Sequence, residues 1–505
     1  MATYLKLYLA KTSIFALVLA KYNFAKMQPF IGRVPEIKLL NDALATPQAE
    51  LIAVYGRHRV GKTHLIRTIY AKQLVFELTG LKATNLSGQL ENFSDTLSAA
   101  FYPNTRLANP KSWMAAFRML ATALENIAQT EKQVIFLDEF PWLDTPRSGF
   151  LSAFDHFWNN WASRRANLVV VICGSAASWM IQHIVRNKGG LHNRITRRIR
   201  LLPFNLSETE QFLRSNRVNL EHYSILQLYL ITGGIPQYLG AIRPGESATQ
   251  AIDQLYFTKD GALRDEFKFL YQALFDEADK HIKVVRALAQ QASGLTRTEL
   301  IASGTFSSGG RLTKILDELL ESGFIMEYIP FNKTVKDAIY KLSDPYSLFY
   351  LKFIENSKSI GPGTWLMKAG SASWKSWSGL AFENICLQHI PQIKKALGIA
   401  GIYTEQSIWR YVSKTGEEGT QIDLLIDRND NCVNLIEIKF ASNLYTIDKS
   451  YASKLRAKRN IFIEKTGTRK TVFLTMLSCF GVKTNEYYLS LIQNQITMEA
   501  LFEPG

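Results

Sequence analysis

The stretch at residues 51–70, LIAVYGRHRVGKTHLIRTIY, constrains the fold more than any other part of this chain. It begins with an apolar, partly β-branched run, typical of a buried parallel strand, and it ends in a segment of helical composition. Between the two, Gly56, Gly61, Lys62 and Thr63 fit the pattern G-x-x-x-x-G-K-[ST]. In such a loop backbone N–H groups surround phosphate oxygens, the lysine reaches the terminal phosphates and the threonine holds Mg²⁺. The sequence therefore predicts a P-loop, with a nucleotide bound by Gly56, Arg57, His58, Arg59, Val60, Gly61, Lys62 and Thr63.

A second buried strand is predicted at residues 134–138, where the run VIFLD is followed by Glu139. Because the carboxyl ends of parallel strands meet at one edge of a sheet, we expect Asp138 to lie beside Thr63 and to hold the Mg²⁺ shell. Glu139 is then placed to polarise the attacking water. The sequence thus predicts a Walker B pair, Asp138 as a metal ligand and Glu139 as a catalytic base.

A third apolar run, NLVVVIC at residues 167–173, ends in Gly174 and Ser175. Ser175 can contact the γ-phosphate, or it can cap the N-terminus of the next helix, and the two roles are compatible. The following segment, residues 186–200, carries six Lys or Arg residues and no acid. It can supply an arginine finger, a phosphate sensor or a nucleic-acid patch, and an ordinary solvated face remains an equal alternative.

The overall composition favours an intracellular protein of several domains. A chain of 505 residues is too long for a single core, so roughly three or four domains are expected. The formal net charge of +15 favours a polyanionic partner such as DNA. The four cysteines form no C-x-x-C pair, so neither zinc nor a disulfide framework is indicated, and a cytoplasmic location is expected. Residues 1–27 are interpreted as an N-terminal extension, since their apolar stretch is too short to span a membrane.

Several motifs together carry a family resemblance: FIGR before the P-loop, GRHRVGKT, IFLDEF, ICGS, ITRRIRLLPF, TGGIPQYL and YKLSDPYSLFYLKFI. In this combination the chain resembles prokaryotic AAA+ or STAND-related ATPases that carry a C-terminal nuclease-like domain. The resemblance implies ATP binding by the P-loop with Asp138 and Glu139, with His58 where an arginine is commoner. It also implies that the turn around Pro236 faces the nucleotide from the lid, and that Arg194 is the sensor or trans-acting arginine.

Downstream of the nucleotide-binding sheet the pattern changes twice. Residues 206–279 alternate helical stretches with short breaks, which predicts a helical lid. Residues 280–344 predict three helices and a hairpin in the order of a winged helix. Its third helix can enter a DNA groove through Arg311 and Lys314, but the acids on the same helix favour a packing role.

The C-terminal part contains a second group of charged residues. A helix is predicted to carry Glu383, and two strands are predicted on either side of a turn centred on Asp430. In that register Asp423 lies opposite Glu437, with Lys439 on the same face, while Ile422, Leu424, Ile426, Ile436 and Ile438 form an apolar face. Opposed carboxylates destabilise a strand pair, so a divalent cation, Mg²⁺ or Mn²⁺, bound by Asp423 and Glu437 is the simplest compensation.

This second group resembles the core of PD-(D/E)xK nucleases. Asp423 and the Glu437-Ile438-Lys439 sequence match that pattern, Glu383 matches the helix acid, and Ile422 stands where a proline often precedes the aspartate. The resemblance implies catalytic roles for Glu383, Asp423, Glu437 and Lys439. Residues 448–470 add eight basic residues that suit a phosphate backbone, and the alternative is a solvated hairpin.

The sequence therefore predicts an α/β protein: a P-loop parallel sheet with a helical lid and winged helix, plus a C-terminal α/β nuclease-like domain. The predicted segments are 1–27 extension, 28–205 P-loop core, 206–279 lid, 280–344 winged helix, 345–370 flexible connector and 371–505 nuclease-like domain. We expect an ATPase coupled to a Mg²⁺- or Mn²⁺-dependent DNA nuclease. The alternative is an ATP-driven switch whose C-terminal domain binds nucleic acid or a protein without cutting. No membrane partner is expected, and a homo-oligomer is left open.

Overall fold

The computed structural model describes most of the chain after the predicted N-terminal extension, which lies outside the described residues. The described residues are 30–127, 131–175, 177–180, 182–183, 193–304, 309–357, 361–411 and 419–504. Within them, no helix combines the length and the apolar content needed to cross a lipid bilayer.

The first part of the chain forms a five-stranded parallel sheet in the order β2-β3-β4-β1-β5. Its strands are β1 (Glu50–Tyr55), β2 (Leu74–Thr79), β3 (Gln133–Asp138), β4 (Leu168–Gly174) and β5 (Arg197–Arg200). The apolar runs that predicted β1, β3 and β4 are the three central strands, which helices cover on both faces. The α/β class and the parallel sheet are therefore confirmed, whereas β2 and β5 were not predicted.

Helices cover both faces of this sheet and bury its apolar side chains. On one face pack the helices Val34–Ala45 and Lys62–Ile69. On the other face an aromatic cluster around Trp113 and Phe140 joins the helices Leu86–Phe101, Trp113–Glu125 and Phe150–Asn160. Short helices follow β3 and β4, namely Phe140–Leu143 and Ala177–Met180, and the 3₁₀ turn Ala162–Arg164 precedes β4. The sheet thereby holds the ends of β1, β3 and β4 at one rigid edge.

The next segment, residues 206–279, is entirely described and contains helices without a strand, as predicted for the lid. Its elements are Leu206–Ser215, His222–Thr232, Pro236–Leu239, Ala248–Ile252, the π-helix Asp253–Phe257, Glu266–Leu274 and the start of Ala278–Ala289. Two adjacent glycines end the second helix, and both have positive φ. Gly234 requires its missing side chain, because a Cβ there would lie 2.1 Å from the carbonyl oxygen of Phe204.

Residues 278–342 form three helices followed by a hairpin, as predicted for residues 280–344, and a short additional strand, which was not predicted, completes a three-stranded antiparallel sheet. The helices are Ala278–Ala289, Arg297–Ala302 and Gly309–Glu321, and the strands are β6 (Leu295–Thr296), β7 (Ile325–Tyr328) and β8 (Ile339–Leu342). Thr296 begins the second helix with a capping box closed by Glu299. Strand β8 is central in this sheet, between β6 and β7.

Part of the predicted connector is packed into the core. Tyr346, Phe349 and Trp365 are each at most 1% exposed. They lie in the helix Pro345–Phe349 and the helix Thr364–Lys368, with the π-helix Tyr350–Ile354 between them. One hydrophobic cluster runs from the parallel sheet through the lid to the C-terminal part. The expected flexible boundary is therefore not exposed at these residues, and residues 358–360 lie outside the described part of the chain.

The C-terminal part is a mixed five-stranded sheet in the order β13-β12-β11-β10-β9. Its elements are the helices Ala372–Gln388 and Ile390–Ala396, β9 (Thr404–Tyr411), β10 (Thr420–Arg428), β11 (Cys432–Lys439), Lys449–Thr466, β12 (Thr471–Ser478), Glu486–Leu491, β13 (Asn494–Thr497) and the 3₁₀ helix Met498–Phe502. Leu424 pairs with Ile436 across the hairpin, as the predicted turn centre requires.

Two features of this hairpin differ from the prediction. A bulge between Ile422 and Leu425 shifts the register of β10 against β9, so Ile422 packs with Leu425 rather than with Leu424. The face that carries the charged residues is also not a solvated one. The helix Lys449–Thr466 covers it and buries Leu425 and Leu435. Both faces of the sheet are covered, which alternation along two strands could not indicate.

Candidate functional site

The P-loop lies between β1 and the helix Lys62–Ile69, as predicted. Gly56 has φ 152°, and a Cβ there would lie 2.3 Å from the carbonyl oxygen of Leu201, so only glycine fits. Gly61, with φ 93°, begins the helix. The ammonium of Lys62 donates to the carbonyl oxygens of Gly56 and Arg57, each at 3.0 Å. The lysine side chain is therefore held by its own loop.

The predicted acids meet the P-loop at the ends of β3 and β4. The hydroxyl of Thr63 donates to a carboxylate oxygen of Asp138 at 2.7 Å, and the other oxygen of Asp138 accepts the backbone N–H of Glu139 at 3.0 Å. A hydroxyl and a carboxylate at this distance are the hard oxygen ligands that Mg²⁺ prefers. This pair therefore fits a magnesium ion.

Ser175 has a role that neither alternative anticipated. Its hydroxyl donates to Glu139 at 2.9 Å, and its backbone N–H donates to the other carboxylate oxygen at 3.3 Å. Glu139 itself has a left-handed backbone, with φ 45°. Burial raises the pKa of Glu139, and Lys62 and Ser175 oppose that rise. Ser175 thus orients the candidate base.

Three of the remaining P-loop side chains pack against other parts of the chain, and the predicted binding of the nucleotide by these loop residues stays a prediction. Arg57 is 3% exposed, forms an ion pair with Asp344 and lies over the ring of Phe324, 4.7 Å from its centroid. Arg59 forms an ion pair with Glu266 of the lid at 2.8 Å. The side chain of Val60 is buried in the core. These side chains pack against other parts of the chain, because the lid and the segment that follows strand β8 lie against the loop.

His58 is the remaining P-loop residue between Gly56 and Gly61, and it is partly buried. Burial, followed by the nearby charge of Lys62, lowers its pKa to about 4, so the imidazole is neutral at pH 7. Pro236 begins the helix Pro236–Leu239, and Tyr238 of that helix donates its hydroxyl to Glu266 at 3.3 Å. The lid turn around Pro236 is thereby tied to the P-loop through the Glu266–Arg59 ion pair.

Sequence reasoning missed three residues that hold the P-loop. Arg33 is 4% exposed and donates to the carbonyl oxygen of Val60 at 3.3 Å. Glu266 and Asp344 hold the two loop arginines. Arg33 belongs to the FIGR motif and Asp344 to the LSDPY sequence, so both stood in motifs that were recognised, but their partners could not be read from the chain.

The predicted basic segment ends as a sheet strand rather than a solvated face. Arg197 in β5 donates to Glu50 of the neighbouring strand at 3.3 Å. Arg200 donates to backbone carbonyls of residues 320 and 321. Arg194 is exposed in the turn before β5, and its role as a sensor or trans-acting arginine stays a prediction. Residues 186–192 lie outside the described part.

The second predicted group also comes together, at the covered face of the C-terminal sheet. Asp423 accepts the backbone N–H of Ile438 at 3.0 Å. Glu437 is 2% exposed; one of its oxygens lies 2.5 Å from the ammonium of Lys458, and the other accepts the hydroxyl of Tyr451 at 3.0 Å. Lys439 lies 3.6 Å from Glu437. Lys458 and Tyr451 come from the helix Lys449–Thr466 and were not predicted.

Glu383 faces the same group from the helix Ala372–Gln388. Burial, and next the charge of Asp423, raises the pKa of Glu383 to about 7. Burial and Glu437 likewise raise the pKa of Asp423. Lys341 of strand β8, which is 7% exposed, lies 3.7 Å from Glu383. The carboxylates therefore perturb one another, and each lies near an ammonium group.

Part of this group lines a cavity of about 330 Å³. Glu383, Asp423 and Lys458 line it, and Ser293, from the turn before β6, closes one side. Across the described residues, no group of three or more His, Cys, Asp or Glu side chains is arranged to hold a metal ion. Lys458 and Tyr451 engage both oxygens of Glu437, so Glu437 would have to exchange these contacts to bind a divalent ion.

The sheet order, the P-loop and the acids at its edge define the fold class of the P-loop ATPases. Residues 30–242 match a family model described as "ATPase domain predominantly from Archaea". This part of the chain is therefore similar to an ATPase domain, and that similarity implies nucleotide binding.

A relative and two solved structures are similar to large parts of the chain. An uncharacterized protein of Methanocaldococcus jannaschii, MJECL04, is 24% identical over 416 residues, which cover 81% of this chain and 87% of that protein. The Walker-type ATPase PABY2304 of Pyrococcus abyssi is 19% identical with a TM-score of 0.49, covering 65% of this chain and 97% of that one. The ORC2 protein of Aeropyrum pernix is 14% identical with a TM-score of 0.35, covering 72% and 97%.

Proposed function

We propose that this chain binds ATP in the P-loop and hydrolyses it with Glu139 as the base that orients the attacking water. The observation that carries the proposal is the joint placement of Lys62, Thr63, Asp138 and Glu139 at one edge of the parallel sheet. Lys62 moves from its loop carbonyls to the phosphates, and the backbone N–H groups of the loop surround them. Ser175 keeps the carboxylate of Glu139 oriented.

Thr63 and Asp138 are the residues that would hold Mg²⁺. When bound, the ion neutralises charge on the phosphates, which lowers the barrier to phosphoryl transfer. Glu139 lies at the end of β3 beside this pair, so a water between Glu139 and the terminal phosphate can lose its proton to the carboxylate. Arg33, Glu266 and Asp344 hold the loop from three different parts of the chain.

The test compares ATP binding and phosphate release in three variants. Lys62→Ala should weaken ATP binding, since it removes the contact to the terminal phosphates. Glu139→Gln should bind ATP as the wild type does but release phosphate roughly 10²- to 10⁴-fold more slowly, because only proton transfer is lost. Glu125→Gln, an exposed acid of the same domain, is the matched control. Wild-type turnover in Glu139→Gln would show that another group is the base.

We propose further that this ATPase is coupled to a C-terminal domain that acts as a Mg²⁺- or Mn²⁺-dependent DNA nuclease. The group of Glu383, Asp423, Glu437 and Lys439 supports it, because mutually perturbed carboxylates are typical of functional sites. The proposal includes a cytoplasmic location and DNA as the partner. The engagement of Glu437 by Lys458 supports the second candidate instead, an ATP-driven switch whose C-terminal domain binds nucleic acid or protein without cutting.

One experiment separates the two candidates. The purified chain is incubated with plasmid DNA and Mg²⁺ or Mn²⁺, with and without ATP, beside Asp423→Asn and Lys439→Ala. Cleavage by the wild type that both variants lose supports the nuclease and the assignment of these residues. Cleavage that persists in both variants contradicts the assignment. Binding of DNA without any cleavage supports the switch.

A further inference from the structure

A four-residue segment at the end of strand β8, residues 341–344, joins the two candidate centres. Its last residue, Asp344, is 1% exposed and forms the ion pair with Arg57 of the P-loop. The second carboxylate oxygen of Asp344 accepts the backbone N–H of Ser347 at 2.9 Å and its hydroxyl at 2.5 Å. Asp344 thereby caps the helix Pro345–Phe349, with proline at its first position. The carboxylate is held in one orientation by the helix that it begins.

The first residue of the segment, Lys341, reaches the other centre. Its ammonium lies 3.7 Å from Glu383, and burial lowers its pKa. Between the two ends, the side-chain amide of Asn384 donates to the carbonyl oxygen of Leu342 at 3.0 Å, and that of Gln388 donates to the carbonyl oxygen of Ser343 at 3.2 Å. The helix that carries Glu383 therefore contacts three consecutive residues of the segment, namely Lys341, Leu342 and Ser343.

The segment is short and extended. Three residue steps of strand correspond to about 10 Å between its ends. Buried, ion-paired elements of this length shift as a unit because packed interiors do not deform continuously. A displacement of Asp344 is therefore expected to reach Lys341 and Glu383.

At the P-loop end, the path to Asp344 runs through Lys62 and Arg57. In this structure Lys62 donates to the carbonyl oxygen of Arg57, the residue whose side chain pairs with Asp344. A bound phosphate draws Lys62 away, so the peptide of Arg57 loses this bond when ATP binds. Two nitrogens of the Arg57 guanidinium, Nε and Nη2, are buried without a hydrogen-bond partner among the described residues. Buried donors without a partner cost free energy, so the ion pair with Asp344 leaves Arg57 less stable than an arrangement that satisfies all of its donors.

We propose that Asp344 and Lys341 are positioning residues that couple the ATP site to the acidic group of the C-terminal domain. The coupling rests on the proposed ATP binding, but it does not require DNA cleavage. Binding of ATP loosens the Arg57–Asp344 contact and, through strand β8, the Lys341–Glu383 contact. By thermodynamic reciprocity, a change at Lys341 alters the affinity for nucleotide even though Lys341 does not touch it.

The test measures the Kd for the slowly hydrolysed analogue ATPγS by titration calorimetry, using the full chain. Lys341→Met removes the distal contact that favours the nucleotide-free arrangement, so it should tighten binding by roughly fivefold or more. The matched control, Lys352→Met, changes an exposed lysine of the neighbouring π-helix and should leave the Kd unchanged. In a double-mutant cycle, Lys341→Met should have no further effect in an Asp344→Asn background. A residue that only supports folding would instead give additive effects.

A second readout needs no variant that might fail to fold. Hydrogen exchange of the wild-type chain should show that ATPγS lowers amide protection in residues 341–344 and 384–388. If the wild type binds ATPγS but neither the Kd in Lys341→Met nor this protection changes, the coupling is wrong while the proposed ATP site stands. If the wild type does not bind ATPγS, the proposed function fails and the coupling with it.

Discussion

Protonation of His389 should weaken the contact between the lid and the C-terminal part at acidic pH. His389 is 1% exposed and lies between the helices Ala372–Gln388 and Ile390–Ala396. One ring nitrogen contacts the carbonyl oxygen of Ile385 at 2.8 Å, and the other accepts the backbone N–H of Leu206, the first residue of the lid helix, at 3.2 Å. This pattern requires the neutral imidazole, because a protonated ring would direct an N–H at the N–H of Leu206.

The size of the effect follows from the pKa. Burial lowers the pKa of His389 from 6.5 to about 4. Between these values the unfolded chain binds a proton at this histidine and the folded chain does not, so the free energy of unfolding falls as the pH falls. The full effect is about 3 kcal/mol, reached below pH 4, and about 2 kcal/mol of it has appeared by pH 5.

The measurement is urea unfolding of the wild type and of His389→Gln at pH 7, 6 and 5. Glutamine loses part of the hydrogen bonding, so the variant should be the less stable of the two at pH 7. The stability difference should shrink by about 2 kcal/mol by pH 5, because the variant has no imidazole to protonate. A difference that stays constant from pH 7 to pH 5 would refute the reasoning.

The chain also offers a control of opposite sign. Partial burial alone would lower the pKa of His222, but hydrogen bonds to Glu210 and Glu499 raise it above its ordinary value. A raised pKa means that the folded chain binds the proton more tightly, so this stabilisation is present at low pH and is lost as the pH rises through the folded pKa. His222→Gln should therefore lose more stability at pH 5 than at pH 8.

Three further predictions concern backbone strain, DNA and the acidic group. Gly234→Ala, with φ 68° and a Cβ 2.1 Å from a carbonyl oxygen of Phe204, should lower the free energy of unfolding by more than about 1 kcal/mol. Gly363→Ala, which also has positive φ but open space, should cost less, and equal melting temperatures of the two variants would contradict this. Binding to duplex DNA should weaken steeply with added salt, since lysine and arginine contacts release counterions, and salt-independent affinity would indicate a protein partner instead. Asp423→Asn should be no less stable than the wild type in urea, because it removes the repulsion from Glu437; a marked loss would show that the carboxylate at position 423 is stabilising as it stands.

The sequence by itself determined the features that depend on local spacing. The P-loop between β1 and its helix, the acids at the end of β3 and the hairpin register around Asp430 all follow from residues that are close along the chain. The element order of residues 278–342 was also predictable, because helical and strand periodicities alternate there. In each case the physical constraint is a period or a turn, which a short window of sequence contains.

Only the tertiary structure decided which distant groups meet. The partner of Arg57 lies 287 positions away in Asp344, and the partner of Ser175 is Glu139, on the neighbouring strand. Strand β5 was missed because its arginine-rich sequence resembles a solvated run, whereas pairing with β1 makes it an edge strand. Lys341 reaches the acidic group because a hydrophobic core packs strand β8 against the helix Ala372–Gln388. Such contacts depend on how complete elements pack, and no periodicity along the chain encodes them.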